Sequence, residues 1–332
     1  MADGKPILGS LYVYAPNKGA PIFFAVAFGM SAVFHIWQCF RYKAFKLIGL
    51  HPLCAVLFTA GYALREYGAY NYIYDPNTPS LILFVLSQVL IFICPPLLEL
   101  ANYHILGRIF YYIPHKAPLP PSRVLAIFGA LMALVEALNA IGVALQANPS
   151  SAGSQQKLGS DLTIAAISIQ IGVIVAFLIM AGVFHWRCKA ANMLVKTVKT
   201  PVLTLYTSMT LIFIRCIYRL VEHLGPTSID LRSEEKLKSL TPVLRYEWYF
   251  YVFEATLMLL NSVLWNIWNA ARYLPKSYAV HITEDGREVI AGSDTDGRSS
   301  LAKIGNVFTF GILFRREVRT GTFHELNHLP AL

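Results

Sequence analysis

The sequence predicts an all-α polytopic membrane protein, a seven-transmembrane-helix bundle with its N-terminus outside and its C-terminus in the cytosol. Three observations carry the prediction. Of 332 residues, 55% are hydrophobic and only 14% charged, where a soluble domain carries about 25% charged residues. Most charges fall in short segments between long apolar runs. Seven of those runs, at about 21–40, 49–70, 80–105, 123–146, 162–186, 202–223 and 247–270, reach the ~20 residues that a helix needs to cross a bilayer.

Taken in order, residues 1–20 lack the basic start, apolar core and cleavage site of a signal peptide. They are expected to form an extracellular or lumenal segment, with the first span as its own targeting signal. Arg41, Lys43 and Lys46 follow that span, and the second span ends in LREYGAY. The third contains Cys94-Pro95-Pro96, which predicts a kink whose freed carbonyls neighbouring helices can satisfy. Arg108, Lys116 and Arg123 lie between spans three and four, and Arg187, Lys189, Lys196 and Lys199 follow span five. The alternate connections hold no base at 71–79 and only Lys157 at 147–161. The connection 223–246 dissents with Arg232, Lys236, Lys238 and Arg245, accompanied by Asp230, Glu234 and Glu235. Three basic loops against one set the orientation. The membrane domain is expected over 21–275 and a cytosolic tail over 276–332. In that tail HITEDGREVI reads as a hairpin, and NVFTFGILF (306–314) is too short to span.

The net charge of +9 is spread beside the spans rather than gathered in a patch, so nucleic acid is not an expected partner. All five cysteines lie in or at the ends of apolar runs, which implies no disulfide framework. No nucleotide-binding glycine loop and no Gly-x-Ser-x-Gly occurs, so no enzyme and no cofactor are expected. The last span has neither the lysine of a retinal Schiff base nor a histidine. His35, Gln38, His51, Glu99, Asn102, His104 and His185 are placed in the inner half. Each lies near a span end, where interfacial histidines are common, and no metal site is assigned.

The informative residues are charges inside spans, which cost about 2.5–3.5 kcal/mol each on insertion scales and therefore face the bundle interior. Span six ends in RCIYRLVEHLG, with Arg215, Arg219 and Glu222 at helical spacing. Arg215 lies about 10 Å deeper than Glu222 at 1.5 Å per residue. Span seven starts at Glu247, and Glu254, Asn261 and Trp268 continue its stripe at seven-residue intervals. Matching depths predict ion pairs Arg215–Glu254 and Arg219–Glu247. Span two adds Arg65 and Glu66, span four Glu136 and Asn139, span five Asp161 and Gln170. The outer half thus holds six acids (Glu66, Glu136, Asp161, Glu222, Glu247, Glu254) against three arginines. Such a cavity suits a cationic head group or the uptake and release of protons. Helix packing alone is the competing reading of the same pairs.

CPPLLELANYHILGRIFYYIP, SDLTIAAISIQIGV and IRCIYRLVE followed by LRYEWYFYVFEATLMLLNSVLWN resemble the fungal lipid-translocating exporter family, named for resistance to aminocholesterol (RTA-like). The resemblance covers about residues 20–275. It implies a seven-helix plasma-membrane or endomembrane protein without an ATPase domain. It also implies export or flipping of sphingoid long-chain bases, tolerance of toxic amphiphiles, stress resistance and porphyrin traffic. The matching positions are Glu66, Gly68, Tyr70, Pro95, Pro96, Tyr103, Arg108, Asp161, Gln170, Arg215, Arg219, Glu222, Glu247 and Glu254. Span two departs by reading EYGAYNYIY, without the arginine of the family pattern, and span three by CPP in place of Ala-Pro.

The expected function is translocation of amphiphilic lipids or toxic amphiphiles through the acid-rich outer cavity. A lipid sensor or receptor shares the same outline, and an intramembrane metal-dependent hydrolase using the inner histidines is the third class. Membrane lipids or amphiphilic small molecules are the expected partners.

Overall fold

The computed structural model describes residues 6–75, 78–147, 153–193, 195–225, 237–238, 240–275, 277, 280–283, 287–290 and 324–325. The charges Asp230 to Lys236, the hairpin turn at 284–286 and the run 306–314 lie outside the described residues.

The chain is mostly helical. The principal helices are α1 (Ala20–Tyr42), α3 (Leu50–Tyr70), α4 (Ser80–Phe92), α5 (Cys94–Tyr112), α6 (Pro121–Ala147), α7 (Gly153–Ala190) and α8 (Lys196–His223), with a single turn, α2 (Phe45–Ile48), between α1 and α3. A final membrane helix runs from Glu247–Phe250 through a π-helical stretch, Tyr251–Thr256, into Leu257–Ile267. Among the described residues six helical segments are long and apolar enough to cross a membrane, with α4 and α5 counted as one. The helix α3 falls outside that set. It is 21 residues long but carries His51, Pro52, Arg65 and Glu66.

Sequential helices pack as neighbours, the last helix closes back on α1, and α5 sits centrally against α3, α6 and α8. The composition of the third apolar run explains that placement. The helix α4, SLILFVLSQVLIF, is apolar all round and buries only Ser80, Ser87 and Ile91. By contrast α5 carries its polar groups inward and buries 15 of its 19 residues. The break falls at Ile93, where Pro95 and Pro96 lack the N–H groups that would bond Ile91 and Phe92. The thiol of Cys94 takes up the neighbouring Leu90 carbonyl at 3.1 Å and also reaches the Cys54 carbonyl on α3. Outward, the bundle presents large apolar side chains such as Val33, Ile82 and Ile179, each more than 60% exposed, as a lipid-facing surface requires.

Two segments cap the bundle. At one end residues 9–14 run beside the α3–α4 connection, with Leu11 N–H donating to Tyr72 O (2.9 Å) and Tyr74 N–H to Gly9 O (2.8 Å). Val13 adopts φ +71° there and is buried. At the other end Val280–Ile282 pairs antiparallel with Glu288–Ile290, which also pairs with His324–Glu325. Arg108 on α5 donates to the carbonyls of Pro275 (2.5 Å) and Ser277, and the Tyr112 hydroxyl donates to Glu288. These bonds anchor the start of the tail to the central helix.

Candidate functional site

The buried polar groups form three groups along the bundle. The first closes the end near the N-terminal segment. Arg65, only 2% exposed, donates to Glu247 Oε1 (3.2 Å) and to the hydroxyls of Tyr14 (3.2 Å) and Tyr251 (3.4 Å). Its guanidinium also lies 4.1 Å from the centre of the Phe250 ring and 4.9 Å from that of Tyr12. The second oxygen of Glu247 accepts the Asn17 N–H at 2.7 Å. Burial pushes the Tyr14 phenol upward from its ordinary range, against the opposing pull of Arg65, so Tyr14 stays neutral. Gly68 is needed at this place, because a Cβ there would collide with the Tyr12 hydroxyl. Arg65 and Glu247, the two charges of this cage, pair with each other and each has a further partner.

The second group lies deeper. Arg215 Nε donates to both oxygens of Glu254, at 3.0 and 2.8 Å, and Glu254 is fully buried. The π-helical turn contains Glu254, and the Thr256 hydroxyl closes back on Tyr251 O at 2.8 Å. Such turns insert a residue and rotate the helix on one side of them relative to the other. Beside the pair, Phe92, Pro96, Glu136, Asn139, Ile167, Gln170, Arg215 and Arg219 line a narrow cleft of about 30 Å³. Behind the lining, Gln170 donates to Glu99 Oε1 (2.5 Å) and the Tyr103 hydroxyl to Glu99 Oε2 (3.1 Å). At the cleft edge Arg219 pairs with Glu222, bonds the His223 ring at 3.2 Å and lies 4.3 Å from the centre of the Phe92 ring. Glu136 has no ion-pair or hydrogen-bond partner among the described residues.

The third group continues inward. Ser208 accepts from Asn102 Nδ2 (2.8 Å) and from the Trp265 indole (3.1 Å). The Trp265 ring lies 5.1 Å from the ring of His51, which stacks on His35 at 5.6 Å. His35 bonds Ser262 at 3.3 Å, Ser262 bonds Ser31 at 2.6 Å, and Asn266, Gln38 and Asn269 continue the chain. Within this column both ring nitrogens of His51 and both amide atoms of Asn261 are buried with no hydrogen-bond partner among the described residues.

The structure corrects several expectations. Arg219 pairs within its own helix and Glu247 pairs with Arg65, so the predicted Arg219–Glu247 bridge does not form. The π turn is the reason, since it sets Glu247 and Glu254 at different angles and turns Glu247 toward α3. Asp161 is exposed on α7 rather than turned into the cleft. Glu66 is half-exposed beyond the cage, because it lies one residue, about 100° around the helix, from the inward Arg65. Glu136, Gln170, Arg215 and Arg219 do meet in the cleft, with Glu254 and Glu222 against their arginines. The lining itself shows two guanidinium groups and one carboxylate. Glu99, assigned by sequence to the inner end, instead abuts the cleft, since Pro95 and Pro96 lie midway along the 33-residue segment Ser80–Tyr112. Its position one turn beyond a mid-span Pro-Pro is the signal that could have placed it.

Residues 52–277 match the family model described as "RTA1 like protein". A "Lipid-translocating exporter-like protein RTA1" of Leptosphaeria maculans is 53% identical over 315 residues, covering 93% of this chain and 60% of the relative. The chain therefore spans about three fifths of that relative's length. A protein of the same name from Ajellomyces capsulatus is 28% identical over 71% of this chain and 74% of its own. A "Probable lipid transporter atnI" of Emericella nidulans is 25% identical over 80% of this chain and 69% of its own. No solved structure matches. The helices and these relatives make it an integral multi-pass membrane protein, and the extent of the family match means that the chain belongs to the RTA1-like family.

Proposed function

We propose that this protein translocates amphiphilic lipids of the sphingoid long-chain-base kind, or toxic amphiphiles, past the cleft between α4–α5, α6, α7 and α8. The names of the relatives support lipid transport in general. The observation that carries the finer reading is Glu136, a carboxylate without a partner in a cleft at mid-helix. An unpaired carboxylate among apolar helices is costly, and an ammonium head group removes that cost by pairing with it. With the groups directly behind the lining included, the carboxyl groups of Glu99, Glu136, Glu222 and Glu254 stand against Arg215 and Arg219. Exposed apolar helix faces beside the cleft suit an alkyl tail.

In this reading α3 is a seventh crossing, with the N-terminus outside. Of the residues that lower the apolarity of α3, His51 and Arg65 are turned into the bundle at 2% exposure, and Glu66 is half-exposed near the end of the helix. The test is movement of a fluorescent sphingoid base across liposomes containing the purified protein. Glu136→Gln is expected to slow it at least tenfold while leaving the melting temperature unchanged. A wild-type protein that moves no lipid under any gradient overturns translocation. Ligand-dependent binding of a partner to the inner loops would then identify a sensor.

A further inference from the structure

We infer that the inner polar column is a hydrated proton path, which couples lipid movement to protons that pass between Glu254 and the far end of the bundle. This inference rests on the proposed translocation for its purpose, but not for its first test.

Polar atoms buried without a protein partner are rare, and those in native structures are met by water or an ion. Such atoms occur at several places among the described residues, and in the column two side chains have every polar atom in this state. His51 has two unpartnered ring nitrogens at 2% exposure, Asn261 two unpartnered amide atoms at 0%, and Asn102 and Tyr62 contribute one unpartnered oxygen each. Asn261 lies seven residues beyond Glu254 on the last helix, about 10 Å inward at 1.5 Å per residue. Trp265, one turn further, touches His51. His51 and Asn261, each with both polar atoms unpartnered, thus lie between a buried carboxylate and the ring of His35.

The groups divide by chemistry. The amides of Asn261 and Asn102 can hold water but do not titrate. Imidazole and hydroxyl groups accept a proton at one atom and release one from another. A proton entering from the Glu254 end of the column passes along water held by Asn261 to one ring nitrogen of His51, while the other nitrogen gives up its own to water that leads to His35. From His35 the hydroxyls of Ser262 and Ser31 pass a proton on to water held by the amides of Gln38 and Asn269, and that water releases it at the end of the bundle. One proton enters, one leaves, and no other atom changes hands.

The surroundings of His51 suit a relay. From α1 the titratable group facing it is His35. The helix α4 has none, and Lys46 on α2 points outward. From α5 Cys94 is bonded to Leu90 and Cys54, Glu99 and Tyr103 are engaged with each other, and Arg108 is held by tail carbonyls. The last helix offers Trp265 and Asn261, with Glu254 as its carboxylate. Among the described residues no fixed charge faces His51 directly.

Two experiments test the inference. The first measures hydrogen–deuterium exchange at the imidazole C2 position of His51 in the intact wild-type protein. Exchange within tenfold of the rate in denatured protein is expected of a hydrated ring, and a slower rate means a dry core and overturns the path. The second records proton uptake and movement of the fluorescent sphingoid base together in liposomes under a pH gradient. His51→Leu, and independently Asn261→Leu, are expected to cut lipid-linked proton uptake at least tenfold while lipid still equilibrates down its own gradient. Unchanged proton uptake in both variants, or a wild type that moves lipid without protons, overturns the path and leaves translocation standing. A wild type with a hydrated His51 that moves no lipid removes translocation instead, and with it the coupling.

Discussion

The Arg65 cage and the His51 column are equally buried, yet they treat polarity in opposite ways. In the cage, one guanidinium meets a carboxylate, two phenol oxygens and two ring faces, and the carboxylate's spare oxygen takes a backbone N–H. In the column, an imidazole and a carboxamide have no hydrogen-bond partner among the described residues. Dense partnering of both charges marks groups whose work is to hold the fold, as the cage holds the N-terminal segment to α3 and the last helix. Incomplete satisfaction costs about 1–3 kcal/mol per group in a dry interior, so it persists where something other than the fold uses it.

This contrast is most open to challenge at Glu247. Glu247→Ala leaves Arg65 charged and enclosed, and removal of one member of a buried pair costs about 3–5 kcal/mol. A large fall in melting temperature in detergent is expected. The double variant Arg65→Met with Glu247→Leu is expected to recover most of that loss, since an apolar replacement of a buried pair is often neutral, and to move lipid like the wild type. A stable double variant that moves no lipid would place the cage in the transport machinery and undo the distinction.

A lesser loss is expected beside the kink. At Gly61 on α3 an added Cβ would lie 2.7 Å from Ile91 Cγ1 and 3.3 Å from Ile91 N. Ile91 stands just before the Pro-Pro break, where its backbone has little room to shift. Gly61→Ala is expected to destabilise by about 1–3 kcal/mol, the usual cost of overpacking, measured by thermal unfolding. A neutral result would mean that α4 slides freely on α3. Smaller again is Asn17, whose side chain accepts from the Gly19 and Ala20 N–H groups at the start of α1. Asn17→Ala is expected to cost about 1 kcal/mol, as for loss of a helix cap, by the same measurement.

The helical membrane architecture is legible because bilayer solvation leaves its mark in hydropathy, and the Pro-Pro break is legible because proline removes a donor whatever its surroundings. The Arg215–Glu254 contact can be read from matched depth on adjacent antiparallel helices. Depth alone fails at Glu247, where a π turn, with no signature in the residue pattern, redirects the side chain to a third helix. It fails for Glu99 because one hydrophobic run contains two helices, so its midpoint lies where the pattern suggests an end. His51 reads as interfacial in the sequence because it opens its helix. The helix begins beneath the stacked ring of His35 and the indole of Trp265, a packing relation that no single segment encodes.

Asp161 is the weakest perturbation and the cleanest test of direction against depth. Its carboxylate has the same charge as Glu136, and it lies nine residues from Gln170 on the same helix, about 13 Å along the axis. A nine-residue offset in an α-helix is about two and a half turns, which puts the two residues on opposite faces. The structure accordingly buries Gln170 and exposes Asp161. Because α7 runs for 38 residues, about 57 Å at 1.5 Å per residue, its first turns extend past the ~30 Å hydrocarbon layer. Asp161→Asn is therefore expected to leave both the melting temperature and the rate of lipid movement unchanged, in the same liposomes in which Glu136→Gln slows it. If the two variants fall together, charge at the membrane face of α7 draws the amphiphile in before the cleft does, and the site is longer than its lining.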